Sequence, residues 1–434
     1  MNTIEVVKEI LLDNQDATLF CGSPRHVDLQ NIKGKASICI GVRRCGKSTL
    51  LNQKIEVIKK NNPKENILFL NFFDDRLMEL RNGNLQLALD AYYALFPEKK
   101  GERLFCFFDE LQECRNWEPF IDRILRTENV EVYITGSSAK LLSKEIATQM
   151  RGRAITVELY PFSFKEYLNF HSIEYDKLTS KTRYNLEYWW DKYFETGGFP
   201  EVGNQEEKNR IKIHQEYFKT ILHRDIIQRF DSLHPKATIQ LAYRMLNSVS
   251  SLTTLNRSTE YLKSVGFKVS KEFVSNCIDW FEDTFFLFMV KKHDKSFAKQ
   301  NVNAKKVYCI DHSLVNSVSP MIAEKKGYLF ENMVFVHLRR KTDEIYYYRT
   351  RQGNEVDFYW LDHKKNPHLV QVAWDLNDEN TKNRELRSMN QAMEETGLNS
   401  ATLVTKNQSE TIKSNNKAIH VMPAWRYFLS LEDE

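Results

Sequence analysis

The sequence predicts an α/β chain that opens with a mainly parallel β-sheet, and three observations carry that prediction. From Lys35 to about Tyr160, short apolar runs alternate with segments of helical period. The runs, "SICIGV", "NILFLNF", "RLFCFFD", "VEVYITG" and "AITVELY", are nearly continuous in apolar residues, as strands covered on both faces are. The first run passes through a glycine-containing turn straight into "KSTLLNQKIEVIKK", the start of a βαβ unit.

The remaining elements follow in order. "MNTIEVVKEILLDNQD" reads as an amphipathic lead-in helix and not as a charged-then-apolar signal. Residues 162–233 are mostly helical and are broken by "ETGGFPEV". In residues 234–318, the helices "ATIQLAYRMLNSV", "NRSTEYLKSVG" and "SKEFVSNCIDWFEDT" precede the strands "FFLFMVKK" and "KKVYCID". Three helices followed by a two-stranded ribbon outline a winged helix. Residues 319–434 return to mixed α/β: helix "YLFENMVFVHLRRK", strands "EIYYYRT", "EVDFYWLD" and "HLVQVAWDL", helix "ENTKNRELRSMNQAMEET" and strand "SATLVTK". Polar stretches at "HP" (234–235) and "SPMIAEKKG" (319–327) are the candidate boundaries.

At 434 residues, a usual domain size of ~150 residues suggests about three domains. Hydrophobic residues make up 42% of the chain and aromatics 12%, enough to fill several cores. The 62 basic residues face 58 acidic ones, a net charge of only +4, so any nucleic-acid contact has to be a local patch. The seven cysteines form no CxxC or Cys/His cluster at zinc spacing. Cys39, Cys45 and Cys106 fall in or beside apolar runs and read as small hydrophobes in a reducing compartment. The strongest apolar run, "DTFFLFMV", is far too short to span a bilayer, and a soluble cytoplasmic chain is expected.

The chemistry concentrates in "GVRRCGKST", Gly41 to Thr49, which fits G-x-x-x-x-G-K-[ST] after a strand and before a helix. Gly41 and Gly46 let backbone N–H groups of the loop, through Arg43, Arg44 and Cys45, wrap phosphates without a Cβ in the way. The helix N-terminus adds its positive end. Lys47 is placed to reach the β and γ phosphates, and Ser48, with Thr49 beside it, to offer a hydroxyl to magnesium. The run "LFCFFDELQ" delivers Asp109 and Glu110 to the end of a buried strand. Asp109 is expected to hold magnesium, and Glu110 to polarise the attacking water as a general base. Bound nucleotide with Mg2+ is the expected ligand.

"VEVYITGSS" ends a further strand in small polar residues. Where such a strand lies between the phosphate loop and the acidic pair, this position senses the γ-phosphate; Thr135 and Ser137 are the candidates, against a plain helix N-cap by Ser137 or Ser138. A basic helix end, Arg151-Gly152-Arg153, precedes the fifth run. Either arginine could enter a neighbouring subunit's nucleotide as an arginine finger, or simply satisfy its own helix dipole. Trp117, Phe120, Ile121 and Ile124 share helical spacing and read as a core face.

The stretches "GVRRCGKSTLL", "FFDELQECRNWEPFIDRI", "YITGSSAKLLSKEIATQMRGR", "ELYPFSFKEYL", "GGFPEV" and "EVDFYW" together resemble a family of prokaryotic AAA+-type ATPases with an uncharacterised C-terminal domain of restriction-endonuclease-like fold. The resemblance covers almost the whole chain and is most specific in its N-terminal half. It implies a P-loop ATPase domain with its lead-in helix over residues 1–161, a helical lid over 162–233, a winged helix over 234–318 and a nuclease-like domain over 319–434. It also implies ATP rather than GTP, in keeping with the lack of a guanine-reading N/T-K-x-D stretch, and assembly of identical subunits as an option.

In the middle segment, Gly266 ends one helix and Ser270 begins the next, whose exposed face is expected to offer Lys271, Ser275 and Asn276 but which ends in Asp279, Glu282 and Asp283. A DNA partner and a protein partner both stay open. "TGGFPEV" reads as a structural corner near the nucleotide, and Arg224 or Arg229 downstream as a phosphate contact or a solvated charge.

In the tail, Glu331, Asp357 and Gln371 fall on a helix and two successive strands. With the Val372 carbonyl they could hold one magnesium. The lysine that nucleases of this type place two residues after the Gln is Ala373 here, and Lys382 on the next helix is the candidate replacement. The bland alternative pairs Asp357 with Arg349 or Arg351. Those arginines, with Arg339, Arg340 and the tyrosines Tyr346 to Tyr348, form either a nucleic-acid patch or a strand rich in β-formers.

Overall fold

Five apolar strands build a parallel sheet in the N-terminal part of the chain: β1 Ala36–Ile40, β2 Ile67–Asn71, β3 Leu104–Asp109, β4 Val130–Gly136 and β5 Ala154–Glu158. The computed structural model describes residues 3–137, 150, 152–176, 179–414 and 416–433. It divides the chain into two compact units, Met1–Tyr160 and Pro161–Glu434.

In the first unit the strand order is β2-β3-β4-β1-β5. Every residue of β1 and β3 is buried, which is why these strands read as continuous apolar runs. Strand β4 therefore lies between β1 and β3, with Thr135 beside Cys39 and Ile134 beside Phe108. The helix Trp117–Thr127 buries Trp117, Phe120, Ile121 and Ile124, as their spacing predicts. The lead-in helix Thr3–Asp16 buries Val7, Ile10 and Leu11. Its Asn14 and Gln15 side-chain amides donate to the carbonyls of Phe69 and Ile67 at 2.9 and 3.0 Å. The helix thus blunts the outer edge of β2, whose unpaired backbone groups would otherwise offer a template for another strand.

The second unit holds a mixed nine-stranded sheet, ordered β13-β14-β12-β11-β10-β9-β7-β8-β6. Its strands are β6 Leu252–Thr253, β7 Leu287–Lys292, β8 Lys305–Cys309, β9 Ile345–Arg349, β10 Glu355–Leu361, β11 Pro367–Val372, β12 Ser400–Thr405, β13 Glu410–Ser414 and β14 Lys417–Pro423. The ribbon β7–β8 joins the tail sheet through a parallel pairing of Lys291 and Lys292 with Tyr346 and Tyr347. The expected boundaries at 233/234 and 318/319 thus fall inside one compact unit. A two-residue parallel pairing leaves no mark in local sequence pattern, so a single sheet could not be read in advance.

The Gly197-Gly198 corner is built around Asp311. Gly197 has φ +79°, and a Cβ there would stand 1.9 Å from Ser313 Oγ. The Gly198 N–H donates to Asp311 Oδ2 at 2.7 Å. The corner is therefore fitted to the start of the helix His312–Val318. The helix Glu207–Thr220 runs on as a π-helical stretch, Ile221–Gln228, which leaves Arg224 exposed and buries Asp225.

His214 is fully buried here, with its ring nitrogens 2.9 Å from Ser317 Oγ and 3.4 Å from Ser313 Oγ. Burial, with smaller contributions from Arg210 and His312 against that of Asp311, pushes its pKa down to about 4. A histidine held neutral in the fold lends stability that is present above its unfolded value, ~6.5, and is lost as pH falls toward 4. Between pH 7.5 and 5 this group alone removes about 2 kcal/mol. Urea titrations at both pH values should show His214→Gln losing correspondingly less stability on acidification than the unsubstituted chain. Equal losses would show that His214 does not couple folding to pH.

Candidate functional site

The loop Gly41–Gly46 turns from β1 into the helix Lys47–Lys59. Gly41 is required by contact: a Cβ there would lie 2.1 Å from the Leu159 carbonyl oxygen. Gly46 and Arg44 adopt φ values of +102° and +69°, a left-handed path that turns successive N–H groups inward as an anion nest does. Lys47 is buried and donates to the carbonyls of Gly41 and Val42, both at 3.1 Å. Its ammonium thus lies across its own loop. Arg43 sits over the Phe73 ring at 5.5 Å. Cys45 is buried and Arg44 exposed, and Thr49 faces the lead-in loop at Gly22.

Asp109 closes β3 across from this loop. Its Oδ1 accepts from the Thr135 hydroxyl, and Ser48 lies within hydrogen-bonding reach of the same carboxylate. Burial, reinforced by the neighbouring Glu110, raises its pKa, while the Thr135 and Ser48 hydroxyls pull it down. Asp109 Oδ2 is buried with no hydrogen-bond partner, which is rare for an acceptor and is the kind of oxygen a hard cation takes up.

Glu110 follows in the left-handed region, φ 57° and ψ 42°. This conformation is uncommon for a residue with a side chain and clusters at functional sites. Its N–H donates to Thr135 Oγ1 at 3.0 Å, and its carboxylate accepts from the Gln112 amide. Thr135 therefore ties both members of the acidic pair. Ser137 is buried, with the Gln112 amide 3.5 Å from its Oγ. Arg153 makes an ion pair with the buried Asp122, Nε to Oδ1 at 3.3 Å. Arg151 and Ser138 lie outside the described residues.

Two participants escaped sequence reasoning. Gln112 could have been found, because a polar residue two places beyond a strand-end glutamate is well placed to hold it. Arg25 gave no signal. Its guanidinium donates to the carbonyls of Cys45 at 2.7 Å and Tyr160 at 2.6 Å, tying the loop to the chain beyond β5.

The tail brings its three predicted residues together, with corrections. Asp357 does not pair with Arg349 or Arg351; its Oδ1 accepts from Lys306 Nζ at 2.8 Å and its Oδ2 from Val372 N–H at 3.0 Å. Glu331 Oε1 accepts from Lys306 at 3.0 Å and from Tyr308 O–H at 2.7 Å. Gln371 accepts from Asp357 N–H and donates to Glu385, at 2.9 and 2.7 Å. Lys382 is not the replacement lysine: it is spent on Glu410 at 2.8 Å. A register shift between Val356 and Tyr359 leaves Val356, Asp357 and Phe358 all buried in succession, a bulge that re-aims the aspartate.

Burial and the adjacent Asp357 push the Glu331 carboxyl well above the carboxylate range. Burial works against the Lys306 charge, but Asp357 and Glu331 outweigh it. Two of the three tyrosines of β9 are held by hydrogen bonds: the Tyr347 hydroxyl donates to the Ala304 carbonyl and the Tyr348 hydroxyl to Glu395, at 2.7 and 2.9 Å. Among the described residues, no group of three or more His, Cys, Asp or Glu side chains is placed to hold a metal ion, and no helix is long and apolar enough to cross a membrane.

Comparison with known proteins places this geometry in context. Residues 33–168 match the AAA domain family, residues 187–325 a domain of unknown function (DUF8612) and residues 326–427 another (DUF4143). The chain is 31% identical over 435 residues to uncharacterized protein MJ1544 of Methanocaldococcus jannaschii, covering 98% of this chain and 95% of that one. It is 28% identical over 342 residues to an uncharacterized protein of Haemophilus influenzae, covering 77% and 78%. Among solved structures it is similar to the Walker-type ATPase paby2304 of Pyrococcus abyssi, with TM-score 0.41, 11% identity, and 72% and 94% of the two chains covered. It is also similar to the Aeropyrum pernix ORC1 protein in complex with DNA, with TM-score 0.34, 12% identity, and 74% and 93% covered.

Proposed function

We propose, for a chain that belongs to the family of the Methanocaldococcus jannaschii protein MJ1544, that it binds and hydrolyses ATP with magnesium and uses the ATPase unit to control a binding module in residues 161–434. The observation that carries this reading is the convergence, at the carboxyl ends of β1, β3 and β4, of the phosphate loop, the acidic pair and Thr135, with one Asp109 oxygen buried and unpartnered. Nucleotides bind at this edge of parallel sheets.

In this reading, N–H groups of Gly41 through Gly46 cradle the phosphates, and Lys47 exchanges its two loop carbonyls for phosphate oxygens. The exchange swaps neutral acceptors for charged ones, which make the stronger hydrogen bonds. Ser48 and Asp109 hold the magnesium ion, whose chemistry is to neutralise charge on the phosphates. Glu110 accepts a proton from the attacking water, held in place by Gln112 and by its own N–H on Thr135. Thr135 and Ser137 are the γ-phosphate sensor candidates; the Thr135 hydroxyl donates to Asp109 Oδ1. Arg151 remains the finger candidate in a homo-oligomer; the ion pair of Arg153 with Asp122 supports a structural role for that residue.

For the second unit, the order helix, β6, helix, helix, β7, β8, with the short helix Phe297–Val302 in the turn of the ribbon, supports a winged helix. The order helix, β9, β10, β11, helix, β12 supports a nuclease-like core. Either could carry a DNA or protein partner. The exposed Lys271 and Asn276 sit beside the exposed Asp279, which favours a protein partner for that helix face.

Titration with a fluorescent ATP analogue, alongside phosphate release, tests the ATPase assignment. Lys47→Ala should weaken Mg-ATP binding by at least tenfold and lower turnover at least 100-fold, the loss of a charge-assisted contact made in both ground and transition states. Binding and turnover like those of the unsubstituted chain would overturn it.

A further inference from the structure

We propose that Lys306 is the resident cation of the tail's carboxylate site, so that the nuclease-like hairpin is a closed, metal-free ion cluster and not a divalent-metal centre. The ammonium lies 2.8 Å from Asp357 Oδ1, 2.9 Å from Glu355 Oε1 and 3.0 Å from Glu331 Oε1, on a side chain only 3% exposed. An ammonium has three donors and no acceptor; Glu331 and Asp357 accept hydrogen bonds from it, and Glu355 adds an ion pair. A divalent ion bound by Asp357 and Glu331 would need the same oxygens at ~2.0–2.6 Å. It would then sit against a positive charge left with Glu355 as its one remaining carboxylate partner, on a side chain only 3% exposed, where little water screens the repulsion.

Further donors hold the same side chains. Asp357 Oδ2 takes the Val372 N–H, Glu331 Oε1 also takes the Tyr308 hydroxyl, and Gln371 bridges Asp357 N–H to Glu385. This contrasts with Asp109 in the first unit, where a buried carboxylate oxygen is left without a donor. One site has an opening for a cation; the other already contains one.

The cluster is composite. Lys306 and Tyr308 come from β8, within residues 187–325, whereas Glu331, Glu355, Asp357 and Gln371 come from residues 326–427. The lysine therefore also fastens the ribbon to the tail sheet, next to the short β7–β9 pairing. Removing it would leave buried carboxylates facing one another, an arrangement that either takes up a proton or recruits a cation.

The test is Mn2+ uptake by the full-length chain without nucleotide, read from the electron paramagnetic resonance signal of free Mn2+. The unsubstituted chain and Asp357→Asn should take up the same amount. Lys306→Met should take up one additional ion per chain, and the Lys306→Met/Asp357→Asn double variant should lose it again. A folded Lys306→Met chain that gains no ion overturns the proposal. So does an ion on the unsubstituted chain that Asp357→Asn removes. If circular dichroism shows Lys306→Met to be unfolded, the comparison of the unsubstituted chain with Asp357→Asn still decides: equal uptake supports the closed cluster, and lower uptake by Asp357→Asn rejects it.

Discussion

Glu110→Gln should lower ATP turnover by about 10²- to 10⁴-fold, the usual worth of a positioned general base, while Mg-ATP still binds within a few-fold of the unsubstituted affinity. The substitution keeps the side chain's shape and removes only its capacity to accept a proton. An amide oxygen can still accept from Gln112, and the backbone bond from residue 110 to Thr135 Oγ1 is independent of the side chain. The left-handed backbone at 110 is held by that bond as well. Nor does the change reach Lys47 or Ser48, which carry the expected phosphate and magnesium contacts. Phosphate release at saturating Mg-ATP, together with an equilibrium binding titration, separates the two effects. Turnover within threefold of the unsubstituted chain would remove Glu110 from the role of base. Loss of binding along with turnover would point to a disturbed loop instead.

Asp311→Ala should destabilise the second unit by about 3–5 kcal/mol, as removal of a fully engaged buried charge does. Asp311 caps the helix His312–Val318, accepting from the N–H groups of Ser313 at 2.7 Å and Leu314 at 3.3 Å. It also accepts from the Ser313 hydroxyl and from the Gly198 N–H. Burial alone would raise its pKa, but His312, His214 and these donated bonds bring it below the ordinary value. The alanine variant orphans several buried donors at once, and each unsatisfied group costs on the order of 1–3 kcal/mol. Asp311→Asn, which keeps one acceptor oxygen, should cost clearly less. Urea unfolding followed by circular dichroism measures both. A loss below ~1 kcal/mol for Asp311→Ala would mean that the Gly197-Gly198 corner is held by something else.

Legibility differed between the two units for a physical reason. In the first, phosphate-loop chemistry requires residues adjacent in sequence, and a parallel sheet buried on both faces requires continuous apolar strands. Gly41 to Thr49 and the run ending in Asp109-Glu110 therefore announced themselves, and the order β3-β4-β1 put Thr135 where a strand between the two would put it. Gln112 lay close to legibility. Arg25 did not, because its two acceptors, Cys45 and Tyr160, are far from it in sequence.

In the second unit, elements were readable but their partners were not. The helix bearing Glu331 and the hairpin bearing Asp357 and Gln371 were visible from their apolar periodicity. The absence of a lysine at Ala373 is also visible, but the lysine that meets the carboxylates is Lys306, which lies upstream on a different part of the chain, and not Lys382 on the next helix. Periodicity reports which face of an element is buried; it carries no information about which distant charge that face meets.

The sequence by itself determined where the candidate phosphate loop and acidic pair sit and which residue types compose them, because those requirements are met by neighbours along the chain and by the period of a single strand or helix. Only the tertiary structure decided that β7 and β9 join two expected domains into one sheet, that Asp311 holds the glycine corner, and that Lys306 fills the space between Glu331 and Asp357. Each of these rests on a contact between residues remote in sequence, where close packing and the high cost of an unpaired buried charge select the partner.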